Sequence, residues 1–134
     1  MTLTGWILTY LATMVAFLAV DAVWLGKIAN QFYASQLGDL MRRPPLMAAA
    51  GVFYALYVIG IIYFAIKPAR EADSISIAIT NGALFGFFAY GTYDMTNLAT
   101  IRDWPWRLVL VDWTWGTVLT AFAAFCGYWV SRLL

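Results

Sequence analysis

Four apolar runs, Leu3–Leu25, Leu46–Ile66, Ile75–Leu98 and Leu108–Val130, each reach the roughly 20 residues that a helix needs to cross a hydrocarbon core. Inside lipid every backbone N–H and C=O must be paired within the chain, so runs of this kind are restricted to helices. The fold class that follows is all-α: an integral membrane four-helix bundle occupying residues 1–134 as one transmembrane domain. Seven Trp, eight Tyr and nine Phe in 134 residues, with 63% of the chain hydrophobic and 11% charged, are more apolar surface than a water-soluble core of this size could hide. The first run is read as a span and not a signal peptide, because no basic segment precedes it and it is too long.

The breaks between runs are chemically explicit. Arg42, Arg43, Pro44 and Pro45 open the second span, with proline suited to a first helical turn. Lys67, Pro68, Arg70, Glu71 and Asp73 separate the second from the third. Ser74 or Asp73 is expected to cap the third helix, and Asp103 with Pro105 to supply the N-cap and first turn of the fourth. Trp104 and Trp106 suit the membrane interface. The one long connection, Lys27 to Arg43, carries Tyr33, Leu37, Leu40 and Met41 at helical spacing, which predicts a short interfacial helix between spans one and two.

Charge and composition exclude several classes of function. Eight Lys+Arg against seven Asp+Glu, with no basic tract, give nothing to neutralise a run of phosphates, so no nucleic-acid partner is expected. There is no histidine, which removes the commonest metal ligand and general base. A single cysteine, Cys126, allows no internal disulfide and reads as a small apolar helix residue. No metal site and no particular cofactor are indicated.

Against that background the intramembrane carboxyls stand out. With the spans running alternately up and down, the ends of spans one and three and the starts of spans two and four share one side, called side B, and Asp21, Asp94 and Asp112 all lie near it. Asp94 and Asp112 are each nine positions from Asp103 in the third connection, which sets them level on antiparallel helices. Thr13, Phe17, Asp21 and Trp24 share a face of span one; Gly82, Gly86, Tyr90, Asp94 and Asn97 share one on span three; Asp112, Gly116, Thr120, Ala123 and Gly127 share one on span four. An unpaired carboxylate facing lipid costs about 2–3 kcal/mol or more, so these faces are expected to turn inward. The resulting candidate cluster is Asp21, Trp24, Tyr90, Tyr93, Asp94, Asn97, Asp112, Trp113 and Trp115. Arg102 or Arg107 is a candidate counter-ion. Asp94, with Tyr90 and Asn97 on its own face, is the carboxyl on which function is expected to depend, and its replacement by Leu is expected to strand those two neighbours.

Side B carries Lys27, Arg42, Arg43, Arg102 and Arg107, against Lys67, Arg70 and Arg132 on the opposite side A. The excess of basic residues predicts that side B faces the cytoplasm, with both termini outside.

The segments "AVDAVWLG" ending the first span, "RRPP" opening the second and "GTYDMTNLATIRDWPWRLVLVDWTWG" across the third connection resemble an uncharacterised family of small four-span bacterial inner-membrane proteins, a domain of unknown function. The resemblance covers essentially the whole chain. Its most specific parts are Tyr93-Asp94-x-Thr96-Asn97-Leu98 and Asp112-x-x-Trp115-Gly116. It implies a multi-pass protein of the bacterial inner (cytoplasmic) membrane and carries no assigned activity.

Three classes of function remain open at this stage. The cluster is either a hydrogen-bond network that locks helices together, or a pocket for a membrane lipid or other amphiphile with a cationic or polyhydroxylated headgroup, or the site of an intramembrane lipid-modifying enzyme with paired aspartates as acid and base. A proton-coupled carrier is a variant of the second class. Four spans enclose little volume, so such a carrier calls for a homodimer or a membrane-protein partner.

Overall fold

A computed structural model describes residues 1–134. The chain is 87% helical with no strands, and its architecture is the expected up-and-down four-helix bundle. Helix α1 (Leu3–Val23) continues through a π-helical turn, Trp24–Ile28; α2 (Asn30–Leu37) follows, then a 3₁₀ turn at Gly38–Leu40. Helix α3 (Met47–Ile61) runs through a second π-helical turn, Ile62–Ile66, into α4 (Lys67–Ala72); α5 spans Ile75–Thr100 and α6 Trp106–Leu133. The four membrane spans are Leu3–Ile28, Met47–Ala72 and Ile75–Thr100, each of 26 residues, and Trp106–Leu133 of 28. At about 1.5 Å per residue they are about 40 Å long, more than the hydrocarbon thickness, so their ends stand among the headgroups.

Span two runs one and a half turns past its sequence boundary at Ile66, through Lys67, Pro68 and Arg70. Pro68 supplies no N–H to the Phe64 carbonyl four residues back, and the Asn81 side chain donates to that carbonyl at 3.0 Å. Lys67 and Glu71 pair one turn apart at 3.8 Å. The helix closes at Asp73, which is left-handed with φ 52°, and Ser74, not Asp73, caps α5 by accepting from the Ile77 N–H. Two expected starts are corrected. Asp103 is not the N-cap of α6: it takes a left-handed turn conformation, φ 61°, which Asp tolerates, and Pro105 occupies the N-cap with no side-chain cap bond. Pro44 and Pro45 lie ahead of α3, whose N-cap is Leu46.

Helix association in lipid relies on close packing and hydrogen bonds, since lipid tails are as apolar as leucine. The α5–α6 seam is built accordingly. A Cβ on Gly82 would meet Ala124 and the Thr120 carbonyl, and one on Gly86 would overlap the Gly116 carbonyl. Gly127 gives the same close approach to Thr13 of α1. Phe17, Ile61, Ile66 and Leu119 are fully buried where the four spans meet. The buried Thr9 and Thr13 hydroxyls donate to the carbonyls of Gly5 and Thr9 at 2.8 and 2.7 Å, and Tyr57 pairs with Thr120 at 2.8 Å. Outward, large side chains such as Leu3, Val15, Phe88 and Trp129 are more than half exposed, as a lipid-facing belt requires. Thr92, Thr96 and Thr100 on that outer surface return their hydroxyls to the carbonyls of Phe88, Thr92 and Thr96, which satisfies them without water.

Candidate functional site

Asp21 sits in the last turn of α1 and is 6% exposed. Its two oxygens are held from two different spans. Trp115 Nε1 of α6 donates to Oδ1 at 3.0 Å, and the Tyr54 hydroxyl of α3 donates to Oδ2 at 3.0 Å. One carboxyl therefore ties spans one, two and four together. The inward placement follows from the face on which it lies, since Thr9, Thr13, Phe17 and Asp21 are all buried along α1.

A second carboxyl, Asp112, is held by the surface helix. The Tyr33 hydroxyl of α2 donates to Asp112 Oδ1 at 2.8 Å and accepts from Trp24 Nε1 at 3.2 Å. The Trp24 ring stacks on Trp115 with centroids 4.3 Å apart and planes 10° from parallel, so the two carboxyl anchors share an aromatic wall. Helix α2 can reach because the π-helical turn ends at Ala29, which packs with Tyr33 and Leu108 in a small apolar cluster. Burial, with the Asp112 carboxyl beside it, holds the Tyr33 hydroxyl well above its ordinary pKa. It stays protonated and donates. Of the predicted apolar stripe on this connection, Tyr33 is buried against the bundle, Leu37 and Met41 are half-buried, and Leu40 is exposed.

Between these anchors lies a cavity of about 440 Å³ bounded by all four spans and α2. Asp21, Tyr90, Tyr93, Asp112 and Trp115 of the predicted cluster line it, joined by Tyr33, Tyr54, Phe53, Leu25, Ala50 and Ala89. Its wall contains no Lys or Arg. The Tyr90 ring is seated in the space that a Cβ on Gly116 would fill, so the glycine on the α6 face sets how far the tyrosine reaches inward.

The other predicted residues stand elsewhere. Asp94 does not line the cavity. It is fully buried, and neither of its oxygens has a hydrogen-bond partner. The expected support of Asp94 by Tyr90 and Asn97 is absent, since neither carboxyl oxygen meets a donor. Asn97, half-buried, does not line the cavity. Trp24 stands behind Trp115. Trp113 points away from the cavity: its Nε1 donates to the Phe87 carbonyl at 2.8 Å, and its ring fills the space beside Gly91. Residues 113 and 115 are two apart on one helix, about 200° around it, so both cannot face one cavity. Arg102 and Arg107 do not act as counter-ions; both are exposed and neither forms an ion pair. Aromatic O–H and N–H groups take that place.

Tyr54 and Tyr33 are the site residues that the sequence reading left out. Tyr54 lies in the uncharged run Leu46–Ile66, so no carboxyl drew attention to its face. The available signal was a tyrosine amid apolar helix, whose hydroxyl needs a partner when buried. No group of three or more Asp, Glu or Cys side chains converges at metal-ligand distances. The chemistry on offer is acceptance of hydrogen bonds by two carboxyls at an otherwise apolar, aromatic wall.

A family model described as "Predicted membrane protein (DUF2177)" matches residues 6–129. No curated protein and no solved structure matches the chain.

Proposed function

The chain belongs to the DUF2177 family of predicted membrane proteins, and from that premise we propose that it binds an amphiphile whose cationic or hydroxyl-rich headgroup enters the cavity at side B. One observation carries the reading: Asp21 and Asp112 line an aromatic cavity whose wall has no cationic residue. Two carboxyls in such a place need donors beyond the aromatic N–H and O–H groups that already hold them. An amine or a polyol supplies them, and the tyrosine and tryptophan faces add cation–π attraction for an amine. The acyl portion of the same molecule suits the apolar remainder of the wall, Leu25, Ala50, Phe53 and Ala89. A volume of about 440 Å³ accommodates a headgroup and the first part of a chain, within the usual range for ligand pockets.

A second reading, proton transfer linked to binding or to chemistry on a lipid, is favoured by the full burial of Asp94, whose two oxygens meet no donor. A buried carboxyl that exchanges a proton can serve as acid or base. The first reading is tested by native mass spectrometry of delipidated protein with dodecylamine, dodecyl maltoside and dodecanoate. Retention of the amine or the maltoside, weakened in Asp112→Asn, supports it. Equal retention of dodecanoate, or no effect of Asp112→Asn, sinks it.

A further inference from the structure

The two ends of the bundle treat their basic residues differently. On side A all three are engaged within the protein. Arg70 Nη1 donates to the Ser131 carbonyl at 2.7 Å and to its hydroxyl at 3.1 Å; Arg132 pairs with Asp73 at 2.8 Å; and Lys67 pairs with Glu71 at 3.8 Å while lying 5.5 Å from the centroid of the Tyr63 ring. On side B, Lys27, Arg42, Arg43, Arg102 and Arg107 are all exposed, and none forms an ion pair. The acids nearest to them in sequence outside the bundle, Asp39 and Asp103, form none either.

These five cations come from the end of span one, the connection before α3, the turn between α5 and α6 and the first turn of α6. They belong to one end of the molecule, because Ala29, Tyr33 and Leu108 pack together with Phe32, Leu37 and Trp104 across those segments. Arg107 rests 5.5 Å from the Trp106 ring. It forms no ion pair there, so its guanidinium is available to an oxyanion. Trp106 itself is 60% exposed, as an interfacial anchor is. The spans are longer than the hydrocarbon core, so these side chains stand at headgroup height.

We propose that side B carries a collar that binds the phosphates of anionic phospholipids in the surrounding leaflet, whereas side A has no such preference. The occupant is the lipid surface because the free cations sit around the ends of membrane helices, where lipid phosphates are the abundant oxyanions. A juxtamembrane Lys or Arg strengthens attachment to an anionic surface by about fivefold, and each of the five is available for it.

The test places the full chain in nanodiscs of equal phosphatidylglycerol and phosphatidylcholine and counts, by mass spectrometry, the lipids that leave with it. The wild type is expected to retain phosphatidylglycerol preferentially. The double variant Arg102→Gln/Arg107→Gln should lower that preference by at least about fivefold, and Lys67→Gln/Arg132→Gln should leave it unchanged. Rising salt should erode the wild-type preference, as screening demands, which gives a readout that needs no variant to fold. Equal retention of the two lipids by the wild type, an equal loss in the side A variant, or saturable binding of inorganic phosphate in detergent without any lipid preference would each overturn the proposal.

Discussion

The Tyr33 hydroxyl donates to Asp112 Oδ1 across 79 residues of sequence at 2.8 Å and accepts from Trp24 Nε1 at 3.2 Å. A single side chain on a surface helix thus pins that helix over the cavity and fixes one of the two carboxyls that line it. The apolar cluster of Ala29, Tyr33 and Leu108, with Phe32, Leu37, Trp24 and Trp104 packed against it, fastens the same helix.

Tyr33→Phe keeps the ring and removes both bonds. It is expected to cost about 1–3 kcal/mol, the range for leaving buried polar partners unmade, and to speed amide exchange across Asn30–Leu37. Hydrogen exchange followed by mass spectrometry reads both effects. Unchanged protection in α2 would show that the bridge holds nothing.

Replacements of Asp21 and Asp94 are expected to differ in cost. Asp21→Leu strands the Trp115 N–H and the Tyr54 O–H, each at about 1–3 kcal/mol. Asp94 receives no hydrogen bond from any donor in the protein, so Asp94→Asn should change stability by less than about 1 kcal/mol. Unfolding in detergent compares them. Comparable losses for the two variants would make Asp94 part of the helix lock.

Close packing of α5 on α6 depends on Gly86, where an added Cβ would overlap the Gly116 carbonyl and meet Thr120. Gly86→Ala is expected to destabilise by about 1–3 kcal/mol through overpacking. Gly51→Ala has nothing within 4 Å of its new methyl group and should be neutral or stabilising by up to about 1 kcal/mol. Equal melting temperatures for the two would mean that the seam relaxes freely.

Much of this was legible in the sequence because lipid enforces it. Run length gave the four spans, and the cost of a lipid-facing carboxylate oriented Asp21, Asp94 and Asp112 toward one another. Helical spacing placed Thr13, Phe17 and Asp21 on one buried face. The sequence was silent on partners that come from a different element. Tyr54 was invisible in the uncharged run Leu46–Ile66, and Tyr33 read as part of an apolar stripe because its hydroxyl partner lies on α6. Trp113 and Trp115 look equivalent as residues, and only the helical phase of α6 separates the one beside Phe87 from the one holding Asp21. Lys67 and Pro68 read as a break, yet the chain stays helical through them, and Asn81 donates to the Phe64 carbonyl that Pro68 leaves without its N–H.

Photolabelling with an alkylamine that carries a diazirine near its headgroup tests the binding reading most directly, because it reports position and not only affinity. In nanodiscs the account predicts adducts concentrated on cavity residues such as Ala50, Tyr54, Tyr90 and Trp115, displaced by unlabelled dodecylamine and lost in Asp112→Asn. Adducts spread over the lipid-facing Leu8, Val15 and Phe122, with no response to competitor or to Asp112→Asn, would contradict it.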